Sequence, residues 1–206
     1  MSIRETIRAL RFYYKPNSRE IYRKAFVNCH DAWRFPFYGS GRFVPRSGVE
    51  PITVPRAQWR SVATAGRLLL MGARPEWSDG TLTITFGKYR FVQPAFERWT
   101  PQGIFVDDNW NIFRGEDLTG KVVVDVGAFI GDSSVAYAER GAIVHAFEPV
   151  PIFYEFLCRN IELNNMHGRI IPHAVGLSDR DEVIHDPKAV MSLRTSVMAA
   201  WLGGVI

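Results

Sequence analysis

Two cysteines in 206 residues, Cys29 and Cys158, leave little to build with. Neither belongs to a C-x-x-C pair, so a disulfide framework and a structural zinc site are both excluded. Long apolar runs are missing too: no stretch approaches the roughly 20 residues that cross a bilayer. The amino terminus, MSIRETIRALR, carries charge where a secretory leader needs an apolar segment. The chain therefore reads as cytoplasmic, with no transmembrane segment. The histidines His30, His145, His167, His173 and His185 fall singly along the chain, and no metal centre is expected from them. Acidic residues are scarce at the start. Residues 1–60 hold 12 Lys/Arg against 4 Asp/Glu, a net +8, and the remainder holds 13 against 17, a net −4. That asymmetry suits an anionic partner such as nucleic acid or a membrane surface, but a solvated basic helical face is the simpler reading. The rest is an ordinary globular composition, 47% hydrophobic and 22% charged, enough for one domain or one with a small appendage.

The informative stretch runs from Val122 to Pro149: VVVDVGAFIGDSSVAYAERGAIVHAFEP. A β-branched run leads into Asp125, Gly127 and Gly131, then an alanine-rich helical segment, then an apolar run from Ile143 to Phe147 that ends on Glu148. Strand, glycine turn, helix and strand with an acidic tip is the first half of a nucleotide-binding βαβ unit. One more absence decides the kind of nucleotide. A dinucleotide site wants G-x-G-x-x-G, so that backbone can approach a pyrophosphate at the helix N-terminus. Here Phe129 stands at the second glycine position and Asp132 at the third. A phenyl ring blocks close approach and a carboxylate repels phosphate. A ligand with a ribose and a cationic amino acid but no phosphate fits better, and S-adenosylmethionine is such a ligand. Asp125 can face its ammonium, Gly127 leaves room for the methionine part, and the two oxygens of Glu148 can accept both ribose hydroxyls.

Three segments in order, DVGAFIGDSS, HAFEPVPIFYEFLCRNIELNN and PHAVGLSD, resemble the FkbM family of S-adenosylmethionine-dependent methyltransferases. The resemblance covers about Glu116 to Asp181. It implies an α/β fold with an incomplete Rossmann-like class I methyltransferase sheet over 116–206, and the spacing of the residues ahead of it gives a helical and β-hairpin region over 1–115. It also implies O-methylation of a hydroxylated small-molecule or glycan-type acceptor, with nucleic acid not the expected partner and an oligomer left open. The cofactor-binding set is Asp125, Gly127, Ala128, Phe129, Gly131, Asp132, Glu148, Pro149 and, beside the adenine by resemblance, Val175. Asp132 is assigned first to the helix N-terminus, and no catalytic base is nominated. Two other readings stand beside the enzyme: an inactive cofactor-binding fragment, and a basic interaction module.

Elsewhere the spacing predicts helices over 3–14, 18–33 and 56–72. Asn17 and Glu20 form a capping box for the second, and Trp59, Val62, Leu69 and Leu70 face inward from the third. Residues 34–55 read as an irregular loop, 81–92 as a hairpin turning at Gly87-Lys88, and Gly103–Val106 as a short extended piece. Tyr89, Trp99 and Trp110 are packing residues that could also line an acceptor pocket. A helix opening at Pro151 ends at Asn164-Asn165 and packs Phe153, Leu157 and Ile161. A third strand spans Ile170 to Val175, Asp179 is a turn carboxylate, and 183–185 add a short strand. Residues 189–206 resemble the family's linking helix and the lead into a fourth strand. Without that strand the one at Val122 becomes an edge, so a fragment or truncated reading frame is the favoured expectation. The alternatives are an N-terminal segment over the edge or another chain supplying the missing half.

Overall fold

The computed structural model describes residues 16–35, 41–95 and 117–178. Expectations for residues 3–14, 99, 103–110, 179, 183–185 and 189–206 lie outside them. The chain divides into two units, Met1–Asn109 and Trp110–Ile206.

Among the described residues the first unit begins with α1 (Pro16–Ala25) and α2 (Cys29–Arg34), where one continuous helix is expected. The break has a cause outside the helix. Asn28 turns its side chain to a distant strand, its Nδ2 donating to the Arg42 carbonyl at 3.0 Å and its Oδ1 accepting from the Val44 N–H at 2.8 Å. The helix already includes Asn17, the expected cap, and Glu20 pairs with Lys24 at 2.7 Å. The expected irregular loop contains a two-residue ladder, β1 (Arg42–Phe43) antiparallel to β2 (Ile52–Thr53). The third helix begins as a tight 3₁₀ stretch, Arg56–Ser61, and becomes α3 (Val62–Leu70). Leu70 ends it 48% exposed, not facing inward. α1 and α3 cross closely at Gly66, where an added Cβ would stand 2.7 Å from Ile21 Cγ2. Tyr22, Phe26, Phe35, Phe43, Ile52, Val62 and Leu69 form the core around this crossing.

The hairpin is a three-stranded antiparallel sheet. β3 (Arg74–Ser78) pairs with β4 (Thr81–Phe86), which pairs with β5 (Tyr89–Pro94). The Gly87-Lys88 turn is as expected, with Phe86 opposite Tyr89. The unexpected β3 enters through Asp79-Gly80, both at positive φ (47° and 74°), the pairing a two-residue hairpin turn demands.

The second unit carries three parallel strands in the order β6 (Val122–Val126), β7 (Ile143–Phe147), β8 (Ile170–His173), a strand that ends two residues earlier than expected. The crossovers are α4 (Asp132–Glu139) and α5 (Pro151–Leu163). Pro151 opens α5, where its missing N–H costs nothing. Val135, Ala136 and Ala138 of α4, and Phe153, Leu157 and Ile161 of α5, are buried with Val144, Ala146 and Ile170 of the sheet. This is a Rossmann-like βαβαβ unit, and its strand carboxyl ends carry the motif residues. The opposite sheet face is open among the described residues: Val122, Val124 and Val126 are 65, 56 and 56% exposed. β6 pairs with β7 alone among them.

Candidate functional site

The turn from β6 into α4 is drawn across the tip of β7. Gly127 and Ala128 both donate their N–H groups to the Phe147 carbonyl, at 2.9 and 3.0 Å, and Gly131 N–H closes the turn onto the Ala128 carbonyl at 2.7 Å. Gly131 must be glycine twice over. Its φ is +83°, and an added Cβ would stand 2.5 Å from Leu157 Cδ1. Phe129, in the gap between the glycines, is a phenylalanine at φ +53°, a conformation that costs a non-glycine residue about 1 kcal/mol.

Three neighbours hold that strained backbone. Glu148 Oε2 accepts the Phe129 N–H at 2.8 Å. The Phe129 ring lies against Phe153, with centroids 4.7 Å apart. Asn160, fully buried on α5, donates from Nδ2 to the Ile130 carbonyl at 2.8 Å. Asn164 Nδ2 in turn donates to the Asn160 carbonyl at 2.8 Å, so two asparagines four residues apart are joined at the end of α5. Glu148 is only 5% exposed, and its Oε1 accepts the Val150 N–H at 2.8 Å, ahead of α5. The carboxylate expected to serve a ribose therefore also bridges the turn and the next helix.

Asp125 lies on the helix-covered side of the sheet. Its Oδ2 accepts from Ser133 Oγ at 2.7 Å and Ser134 Oγ at 2.6 Å, in the first turn of α4. Asp132 opens that helix, as expected of an acid at a helix N-terminus. Burial, and then the negative charge of Asp125, push its carboxyl up to about 7, while the Ser133 and Asp132 backbone N–H groups pull the other way. Burial and the same Asp125 charge also raise the Tyr137 phenol. The two acids thus act on one another at the start of α4, a field that favours a cation and disfavours a phosphate.

Asp125, Gly127, Ala128, Phe129, Gly131, Asp132 and Glu148 surround this single turn. Pro149 adjoins it and packs beside the exit of β8, where a Cβ added at Gly176 would stand 3.4 Å from the proline Cβ. Val175, on the same exit loop, is 54% exposed, and no described contact joins it to the turn. Among the described residues, no group of three or more His, Cys, Asp and Glu could hold a metal ion. Two of the histidines expected to stand singly nevertheless meet. His145 Nδ1 and His173 Nε2 are 3.0 Å apart, with ring centroids at 5.3 Å, so the rings meet nitrogen to nitrogen rather than overlapping. One ring donates and the other accepts. His173 also stacks on Phe147, centroids 4.4 Å apart. Only the parallel register of β7 and β8 brings these residues together, and nothing in their spacing announces it.

No family profile matches the chain, and no curated protein is similar to it in sequence at a significant level. Some solved structures are similar to part of the chain. M. jannaschii TYW2 in complex with AdoMet is 27% identical, over 52% of this chain and 47% of that one, with a TM-score of 0.40. The M. jannaschii tRNA m1G37 methyltransferase is 21% identical over 61% and 44%, with a TM-score of 0.40. A SAM-dependent methyltransferase from Agrobacterium tumefaciens is 14% identical over 66% and 50%, with a TM-score of 0.39. The chain spans about half the length of these structures.

Proposed function

We propose that the chain binds S-adenosylmethionine at the Asp125–Asp132 turn and serves as an O-methyltransferase of the FkbM type, acting on a hydroxylated small molecule or glycan. The observation that supports this most is the acidic pair. Asp132, held near 7 by burial and by Asp125, gains when a cation arrives and is repelled further by any phosphate. An ammonium suits that position, and a pyrophosphate does not. Glu148, at the tip of the neighbouring strand, is an acceptor-only carboxylate, the chemistry that ribose hydroxyls call for, and it already holds the Phe129 and Val150 amides. When bound, the cofactor supplies a methyl group on a sulfonium that is already electrophilic. The protein's task is then orientation and charge complementarity.

Calorimetric titration of the whole chain tests the cofactor. Heat with S-adenosylmethionine and none with NAD is expected; the reverse ends the reading. Transfer of labelled methyl to a panel of sugars, hydroxylated lipids and tRNA then tests the acceptor. Labelling of tRNA alone would replace the hydroxylated acceptor with a nucleic acid, and would give the basic first 60 residues a role.

A further inference from the structure

We infer that Glu148 and Asn160 form a clamp that sets the shape of the 127–131 turn before any ligand arrives, which makes Asn160, a helix residue outside the expected site, a positioning residue for the cofactor. The consequence for binding rests on the proposed cofactor; the clamp itself rests on geometry alone.

The two side chains grip consecutive pieces of backbone. Glu148 takes the N–H of Phe129, and Asn160 takes the carbonyl of Ile130. Between these points lies the one non-glycine residue of the turn at positive φ. Left alone, a phenylalanine backbone relaxes out of that region; held at both ends, it cannot. The grip is anchored, because Glu148 also holds the Val150 N–H at the start of α5 and Asn160 belongs to α5 itself. Both side chains are buried, at 5% and 0% exposure, so water does not replace them.

The residue types match the task. Two N–H donors converge on Glu148, and a carboxylate offers acceptors only. A glutamine there turns an NH₂ toward one of the two donors. The Ile130 carbonyl needs a donor, and an aspartate at 160 offers it a second acceptor.

The experiment uses the full chain, labelled with ¹⁵N and free of ligand. In the wild type the Phe129 and Val150 amides should both exchange slowly, because one buried carboxylate holds both. Glu148→Gln and Asn160→Asp should each speed hydrogen exchange at the Phe129 amide by roughly tenfold, the loss of one charge-assisted or buried hydrogen bond. Each should weaken S-adenosylmethionine by a comparable factor. Adding Phe129→Gly to either variant should restore severalfold affinity, since glycine takes positive φ without restraint. Fast exchange at either amide in the wild type, or unchanged exchange in both variants, overturns the clamp. Affinity that glycine does not restore overturns its role in positioning and leaves Glu148 a ribose contact only. Should the wild type take up no S-adenosylmethionine while the exchange results hold, the clamp stands and the cofactor reading falls.

Discussion

Replacing Asp132 with asparagine should make the protein more stable at pH 8 and poorer at binding S-adenosylmethionine. The carboxyl titrates at about 7 in the fold against an ordinary 3.8, because burial and then Asp125 oppose its charge. The folded state thus holds a proton the unfolded state has already released. Stability falls as pH rises from about 4 to 7, and the penalty is complete above that window. A rise of that size, at about 1.36 kcal/mol for each pH unit, gives about 4 kcal/mol as an upper figure. Asp132 keeps some solvent access, so about 2 kcal/mol is the better expectation. Asparagine keeps the shape and never ionises. Urea unfolding should therefore find Asp132→Asn more stable than the parent at pH 8, with that advantage gone at pH 4. Ligand binding has the opposite sign. A cation beside Asp132 favours its charged form, so S-adenosylmethionine should bind more tightly as pH rises toward 7 and release a proton as it does. The asparagine variant should show neither effect. An advantage that persists unchanged at pH 4, or a parent affinity flat from pH 5 to 8, would refute the reasoning.

Gly131→Ala forces a side chain into positive φ and against Leu157 Cδ1. It should lower stability by about 1–3 kcal/mol, read from the urea midpoint, and adding Leu157→Ala should not recover the part due to backbone strain. Phe43→Ala empties a site flanked by Phe26 at 5.2 Å and Phe35 at 5.5 Å. About 3–5 kcal/mol of stability should be lost, measured in the same way. Glu148→Ala should weaken S-adenosylmethionine by a few kcal/mol at most, on the order of two hydrogen bonds to a charged group plus loss of the grip on the turn; isothermal titration decides.

What could be read from the sequence followed the range of the interactions. Strand, glycine turn and helix from Val122 to Glu139 were legible because their signals are local: β-branched residues, glycines at positive φ, small residues in the helix. The Gly87-Lys88 turn was legible for the same reason. β3 also has a local signal, since Asp79-Gly80 is a strong two-residue turn pair, although the strand was not expected. Other differences had no local signal. The break after α1 depends on Asn28 bonding Arg42 and Val44, and two-residue strands such as β1 and β2 show no periodicity. At the site, residue types and spacing picked out Asp125 and Glu148 as acids at adjacent strand tips. They could not show that the Glu148 carboxylate holds an amide 19 positions back, that Asn160 reaches the Ile130 carbonyl, or that His145 and His173 share a hydrogen bond. Those pairings are products of register and helix placement.

The row of valines along β6 has a practical result for anyone handling the protein. Val122, Val124 and Val126 present a dry stripe to solvent on the side away from both helices. Sulfate and warming strengthen the tendency of such surfaces to leave water, while cooling and mild urea weaken it. Preparations should cloud on heating in ammonium sulfate and clear again in the cold, and a Val124→Lys substitution should move the clouding point to higher salt.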